Sequence, residues 1–313
     1  MDQDERLLHS SSFGAAAVAY AEHRPDYARA AVRWALAPAA GPRVLDLGAG
    51  TGKLTATLLA LGADTVAVEP DPAMLAELRR SLPEVRALSG SAEAIPLPDG
   101  SVDAVLAGNA LHWFDMAVAG PEIARVLVPG GILAGLWNVM NDEVDGPGGA
   151  GGVDGLDGAD GAGEANGAGG SRGPDGAGGA EWAGGAGGAG GPGRAGGAEW
   201  VSGLARVGGS AAVGPRDTPA GWRAETADAH LPETGAAACF GSPERAEFPH
   251  GQRRTADSLV AALATRAGML VMPEPERRAT LDRIRSYLAS RPETARGEFT
   301  LPMLTAVLRV RRL

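Results

Sequence analysis

The stretch Val44-Leu45-Asp46-Leu47-Gly48-Ala49-Gly50-Thr51-Gly52 decides how the rest of the chain is read. Apolar residues flank an acid, glycine then alternates with small residues, and Lys53 to Leu61 has a helix-like composition. This order predicts a buried strand that enters a helix through a tight loop. Without a Cβ, glycine adopts positive φ, so such a loop brings backbone N–H groups against a ligand at the positive end of the helix. Two phosphate-binding patterns fail on spacing. A P-loop needs glycine where Leu47 stands and Ser or Thr where Leu54 stands. The dinucleotide pattern G-x-G-x-x-G fits Gly48 and Gly50 but meets Lys53 at its third glycine.

The stretch does fit Asp-x-Gly-x-Gly-x-Gly. In this it resembles motif I of the class I S-adenosylmethionine (SAM) dependent methyltransferases. The resemblance implies that Asp46, Gly48, Ala49, Gly50 and Gly52 wrap the methionine end of SAM. Downstream, Thr65 to Val68 is a short β run ending in Glu69, and Pro70-Asp71-Pro72 opens a helix from Ala73 to Arg80. An acid at the end of a second strand, about 20 residues past the first glycines, is placed to accept hydrogen bonds from ribose hydroxyls. Glu69 is therefore the expected ribose ligand, since Asp71 already supplies the helix-starting charge. By resemblance, Pro70 and Met74 lie beside it, Met74 along the adenine or ribose; the alternative for Met74 is a plain core residue.

Val85 to Leu88 is the expected third strand, followed by the loop Gly90 to Leu97. The family uses this loop to hold adenine, often with Asp where Ser91 stands, so Ser91 is a departure. The backbone of Ala92 and the side chain of Glu93 are the expected replacements, unless Glu93 is only an exposed helix charge. Val102 to Ala107 reads as a buried parallel strand. The segment after it, Gly108 to Phe114, lies at the carboxyl end of the sheet, where ligands of open α/β sheets bind. That puts Asn109 and His112 at the pocket. The pair His112-Trp113 resembles a subgroup that includes trans-aconitate methyltransferase-like proteins. His112 is then the candidate catalytic residue, as general base or acceptor-orienting donor, with Trp113 as an acceptor contact. A structural histidine beside Trp113 is the alternative. Pro121 to Leu127 is the next expected helix, Pro129-Gly130-Gly131 a turn, and Ile132 to Trp137 the fifth strand.

On the N-terminal side, Phe13 to Ala21 and Tyr27 to Leu36 read as helices separated by Pro25. They resemble the segment that folds over the SAM pocket in this family, which implies that Tyr20, Arg24 and Tyr27 line the cofactor or acceptor site. The alternative is that the tyrosines only pack and Arg24 is solvated. Asp145 to Glu199 is dominated by Gly and Ala and carries the pentapeptide Gly-Gly-Ala-Glu-Trp twice. It has too little apolar surface to offset ordering entropy and is expected to be disordered. Farther on, Phe248 to Arg254 reads as a strand, Thr255 as the cap of a helix over Asp257 to Ala267, and Glu276 to Leu288 as a helix. Phe299 to Val310 is a last strand, whose Pro302 suggests an edge or a strand start.

The expected fold is α/β: a Rossmann-like, doubly wound, seven-stranded sheet with its last strand antiparallel. The expected parts are lid helices (1–40), a SAM-binding core (41–144), a disordered Gly/Ala-rich insertion (145–199) and a C-terminal part completing the sheet and acceptor region (200–313). Net charge is −10 over 313 residues, which argues against a nucleic-acid partner held by electrostatics. A single cysteine, Cys239, excludes an internal disulfide, and the scattered histidines show no metal-ligand spacing. Met1 to Leu8 is acidic and lacks a long apolar core, and no run reaches membrane-spanning length, so a cytoplasmic protein is expected. The functional expectation is a SAM-dependent methyltransferase with a small-molecule acceptor and no metal. A non-catalytic SAM-binding protein, or less well a nicotinamide-dependent oxidoreductase, is the alternative.

Overall fold

A computed structural model describes residues 14–141, 199–214 and 239–313. The expected disordered insertion lies outside the described residues, apart from Glu199. After a 3-10 turn at Gly14–Ala16 come helices α1 (Ala17–His23) and α2 (Arg29–Leu36). The central block runs β1 (Arg43–Leu47), α3 (Lys53–Ala60), β2 (Asp64–Glu69), α4 (Pro72–Ser81), β3 (Arg86–Ser89), β4 (Val102–Gly108), α5 (Met116–Val126) and β5 (Leu127–Met140). The C-terminal part adds α6 (Glu199–Ala212), β6 (Glu244–Arg254), α7 (Ala256–Ala264), α8 (Ala267–Leu270), α9 (Glu274–Ala289) and β7 (Phe299–Arg311).

All seven strands form one sheet in the order β3-β2-β1-β4-β5-β7-β6. The pairs from β3 to β5 are parallel, whereas β7 runs antiparallel to both β5 and β6. This is the Rossmann-like sheet with an antiparallel last strand that the sequence predicts. Helices cover both faces, so the inner strands are buried along their length: Leu45, Leu47, Leu106 and Leu136 are all inaccessible. The reversal of strand order between β1 and β4 sets a crevice at their carboxyl ends, and the Gly48–Gly52 turn and Asn109 both stand there.

Several local expectations differ from the structure, three of them at prolines. Helix α5 begins at Met116, because Asp115 caps it by accepting from the Ala117 N–H at 3.1 Å, and Pro121 sits inside. Pro129 to Gly131 is not a terminal turn but a register shift within β5, between the pairs Val102–Leu127 and Ala104–Ile132, with Gly130 at φ 76°. Pro302 lies in an inner strand. Its carbonyl accepts from the Asn141 N–H at 2.9 Å, so its missing N–H faces the end of β5 and leaves the β6 ladder whole. Finally, α7 ends at Ala264 rather than Ala267, because Thr265 turns back to donate to the Ala262 carbonyl at 2.7 Å.

Candidate functional site

The glycine turn carries Gly48, Gly50 and Gly52 at φ 70°, 57° and 91°. A Cβ on Gly48 would stand 2.8 Å from the Ala110 Cβ, so glycine here permits close approach of the turn to the segment after β4. A Cβ on Gly50 would meet nothing within 4 Å. The expectation of outward-pointing N–H groups is not met at four of these residues. Gly48 and Ala49 both donate to the Val68 carbonyl, Gly52 donates to the Ala49 carbonyl, and Gly50 donates to Glu69 Oε2 at 2.8 Å.

Glu69 at the end of β2 therefore holds the turn. Its Oε1 also accepts from the Asp71 N–H at 2.9 Å. The carboxyl is buried, and burial pushes its pKa up against those two bonds. Asp46 is inaccessible, and its Oδ2 accepts from the Thr55 hydroxyl at 2.6 Å. Burial first, and then the Glu69 charge, push Asp46 up to about 7. Its Oδ1 has no hydrogen-bond partner among the described residues, and the same holds for the buried Thr51 hydroxyl.

The N-terminal segment meets this crevice. Tyr27 is buried, and its phenol senses Tyr20, Asp46, Arg24 and the Asn109 side chain; burial above all raises its pKa. Arg24 stacks over the Tyr20 ring at 4.7 Å and donates to the Thr265 carbonyl. Asn109 adopts a left-handed φ of 51°, and its Oδ1 accepts from the Asn138 N–H at 3.2 Å. Tyr20, Arg24, Tyr27, Asp46 and Asn109 thus come together.

The other expected residues stand around this group. Met74 is buried in the first turn of α4, and Pro70 is exposed. Ser91 pairs with Ala94 in an isolated bridge, and Ala92 is packed in the core. Glu93 accepts from the Asp115 N–H at 3.0 Å, so its carboxylate ties the loop to the start of α5. His112 and Trp113 share a 3-10 turn, half-buried, with ring centroids 4.8 Å apart.

Sequence reasoning missed a buried polar network behind the site. Asn138 donates to the Asp26 carbonyl at 3.1 Å and accepts from the Thr305 hydroxyl at 2.6 Å. Thr305 accepts from the Ala28 N–H and lies 3.1 Å from His250 Nε2. Gln252 also donates to the Asp26 carbonyl, and Lys53 pairs with the Asp26 side chain at 3.2 Å. The only signal was a polar residue inside each of two apolar strand runs, Asn138 and Thr305.

A model described as a methyltransferase domain matches residues 45–135, which span this glycine turn, Glu69 and Asn109. Residues 45–135 are thus similar to methyltransferase domains. Over 135 residues the domain's chain is 56% identical to an uncharacterized methyltransferase of Mycobacterium tuberculosis, a match covering 43% of this chain and 55% of the relative. It is 47% identical over 102 residues to an uncharacterized methyltransferase-like protein of Schizosaccharomyces pombe, covering 32% of this chain and 40% of that one. A demethylmenaquinone methyltransferase of Beutenbergia cavernae is 43% identical over 100 residues, covering 32% and 42%. The chain thus spans about half the length of the curated relatives it matches. A solved structure from Anaeromyxobacter dehalogenans, assigned provisionally to the type II methyltransferases, shares the fold of the methyltransferase domain and its surroundings. It has TM-score 0.55 and 21% identity over 92% of this chain and 97% of that one. No helix among the described residues is long and apolar enough to cross a membrane, and none of their His, Cys, Asp and Glu side chains group as a metal site.

Proposed function

We propose that the chain is a SAM-dependent methyltransferase acting on a small-molecule acceptor. The observation that carries this reading is the pairing of Glu69 with the left-handed glycine turn. A carboxylate offers about four lone-pair sites, and each Glu69 oxygen uses one, on Gly50 and on Asp71. One site per oxygen remains, which matches the two hydroxyls of a ribose. The orphaned Oδ1 of Asp46 and the open space beside Gly50 fit a polar ligand in the same crevice.

When bound, SAM supplies a methyl group on a sulfonium sulfur, already activated for displacement. The chain's own task is alignment and exclusion of water, and alignment of reactants is worth roughly 7–11 kcal/mol. Glu69 and Asp46 hold the nucleoside and amino-acid ends, while Tyr20, Arg24 and Tyr27 cover the crevice from the N-terminal side. His112 and Trp113 face the acceptor, with His112 orienting it or accepting its proton.

Calorimetric titration with SAM, S-adenosylhomocysteine and NADH tests this. Micromolar binding of the first two alone is expected. Glu69→Ala should weaken SAM by about 10- to 100-fold, from loss of bonds to a charged group worth roughly 1.5–3 kcal/mol. Binding of NADH instead, or of none of the three, would overturn the reading.

A further inference from the structure

The short connection between α1 and α2 is held by three elements that meet at one residue, Asp26. From β5, the buried Asn138 donates through Nδ2 to the Asp26 carbonyl at 3.1 Å and to the Pro25 carbonyl at 3.4 Å. From the edge strand β6, Gln252 Nε2 donates to the same Asp26 carbonyl at 3.1 Å. The Asp26 carboxylate pairs with Lys53, the chain's only lysine, which opens α3 directly after the glycine turn. A lysine in the first turn of a helix opposes its dipole, and Asp26 offsets that charge.

Asn138 also grips the other wall of the crevice. Its backbone N–H donates to Asn109 Oδ1 at 3.2 Å. Tyr27 sits between the two walls: a Cβ on Gly108, the last residue of β4, would stand 2.6 Å from the Tyr27 hydroxyl. The phenol thus occupies the space that the missing side chain leaves. Farther back along the segment, a Cβ on Gly14 would stand 2.8 Å from Asp71 Oδ2, and the Asp71 N–H is one of the two donors on Glu69. Residues 14–27 therefore reach from the Glu69 corner of the crevice to the Asn109 corner. Asp26, Asn138 and Gln252, which fix the second corner, all lie outside the residues 45–135 that match the methyltransferase domain.

We infer that Asn138 and Gln252 are positioning residues for the cofactor, setting its affinity by holding the Asp26 carbonyl and, through it, Tyr27 over the crevice. The cofactor half of this inference rests on the methyltransferase reading. An amide is the group that position 138 needs. Its Nδ2 donates to the segment while its Oδ1 accepts from the Thr305 hydroxyl at 2.6 Å, whereas an ionised carboxylate of the same shape only accepts.

The test is calorimetric titration of the full chain with S-adenosylhomocysteine, in the wild type, Asn138→Asp and Gln252→Glu, from about pH 5.5 to pH 8.5, a range in which a buried carboxyl titrates. When protonated, the new carboxyl at position 138 still donates to Asp26; once ionised, it sets its charge against two carbonyl oxygens. The titratable groups already in the network, Asp26, Lys53 and His250, and Asp46 in the crevice are common to variant and wild type, so the ratio of their affinities isolates the new carboxyl. Asn138→Asp is expected to match the wild type at the acid end and to bind about tenfold more weakly at the alkaline end, the worth of one hydrogen bond. Gln252→Glu keeps an acceptor for Arg254 and should also lose about tenfold at the alkaline end. If Asn138→Asp lowers the thermal midpoint too far to be titrated, Gln252→Glu, half-buried on the edge strand, decides alone. Lower midpoints with unchanged affinity in both variants would overturn the inference and leave these residues a packing role only. An equal loss at both ends of the pH range in Asn138→Asp would overturn the part assigned to the donor. Were the wild type not to bind S-adenosylhomocysteine, the methyltransferase reading would fall and the cofactor role with it; binding by all three proteins at equal affinity removes this inference alone.

Discussion

Gly48 and Gly50 share a backbone conformation but not an environment, and the difference separates packing from ligand binding. An alanine at either position adopts a left-handed φ, at a cost of about 1–2 kcal/mol. At Gly48 the added methyl also runs into Ala110, which must move, adding roughly 1–3 kcal/mol of overpacking. Urea denaturation should therefore rank Gly48→Ala as the less stable variant. Gly50→Ala, whose methyl enters open space beside Glu69, should lose SAM affinity out of proportion to its small loss of stability. Equal stability of the two variants would contradict the contact with Ala110. Asp46 makes a pH-dependent prediction. Its carboxyl titrates at about 7 in the folded chain, against roughly 3.9 when unfolded. Between those values the native state holds a proton that the unfolded chain has lost. Stability therefore falls as pH rises through that window, by up to about 1.4 kcal/mol per pH unit, and levels off above it. Asp46→Asn removes this dependence and keeps an acceptor for Thr55. The variant should gain on the wild type in unfolding free energy between pH 5 and pH 7.5, and a constant difference would sink the assignment.

The hydrogen-bond network ties elements that are far apart in the chain. Thr305 donates to Asn138 Oδ1 and accepts from Ala28, so its remaining lone pair accepts from the His250 Nε2–H. That assigns the neutral, Nε2-protonated tautomer to His250, in keeping with burial pushing its pKa down. Thr305→Val keeps the shape and strands the Ala28 N–H and the Asn138 oxygen, at a cost of about 2–4 kcal/mol. Faster hydrogen exchange at Ala28 and in α2, with a lower urea midpoint, is the expected result; unchanged exchange at Ala28 would show that the hydroxyl does not hold this segment. None of this network was legible in the sequence, because each partner is specified by pairing across β5, β7 and β6, which no local pattern encodes. The strands themselves were legible, since apolar runs between glycine and proline clusters suffice to mark buried parallel strands. The positions of Asp46 and Glu69 near the ends of β1 and β2, and of Asn109 just after β4, were legible for the same reason, because they are marked by where those apolar runs end. The prolines misled for a common reason. Pro121 and Pro302 break local rules that distant or flanking partners override: the cap at Asp115 for one, the end of β5 for the other.

At the scale of the whole molecule, every strand among the described residues lies in Arg43–Met140 or Glu244–Arg311. Met140 and Trp200, on either side of the long Gly/Ala-rich segment, belong to one apolar cluster. A chain with residues 145–195 replaced by a short linker should keep its thermal midpoint and its affinity for S-adenosylhomocysteine; loss of either would give that segment a structural role. The same arrangement has a further consequence. The ladder Ile132–Met140 with Met303–Arg311 is a seam between two stretches of polypeptide, closed on one face by α2, where Trp34 stands 6.2 Å from Phe248 and Arg309 stacks on Trp34. Cut the chain between Asn141 and Glu199, and what is left is a heterodimer written in one gene. Fragments 1–141 and 199–313, produced together, should copurify and dissociate on dilution. The connecting peptide then acts on the two halves as a local concentration of one for the other, a quantity set by its length and stiffness.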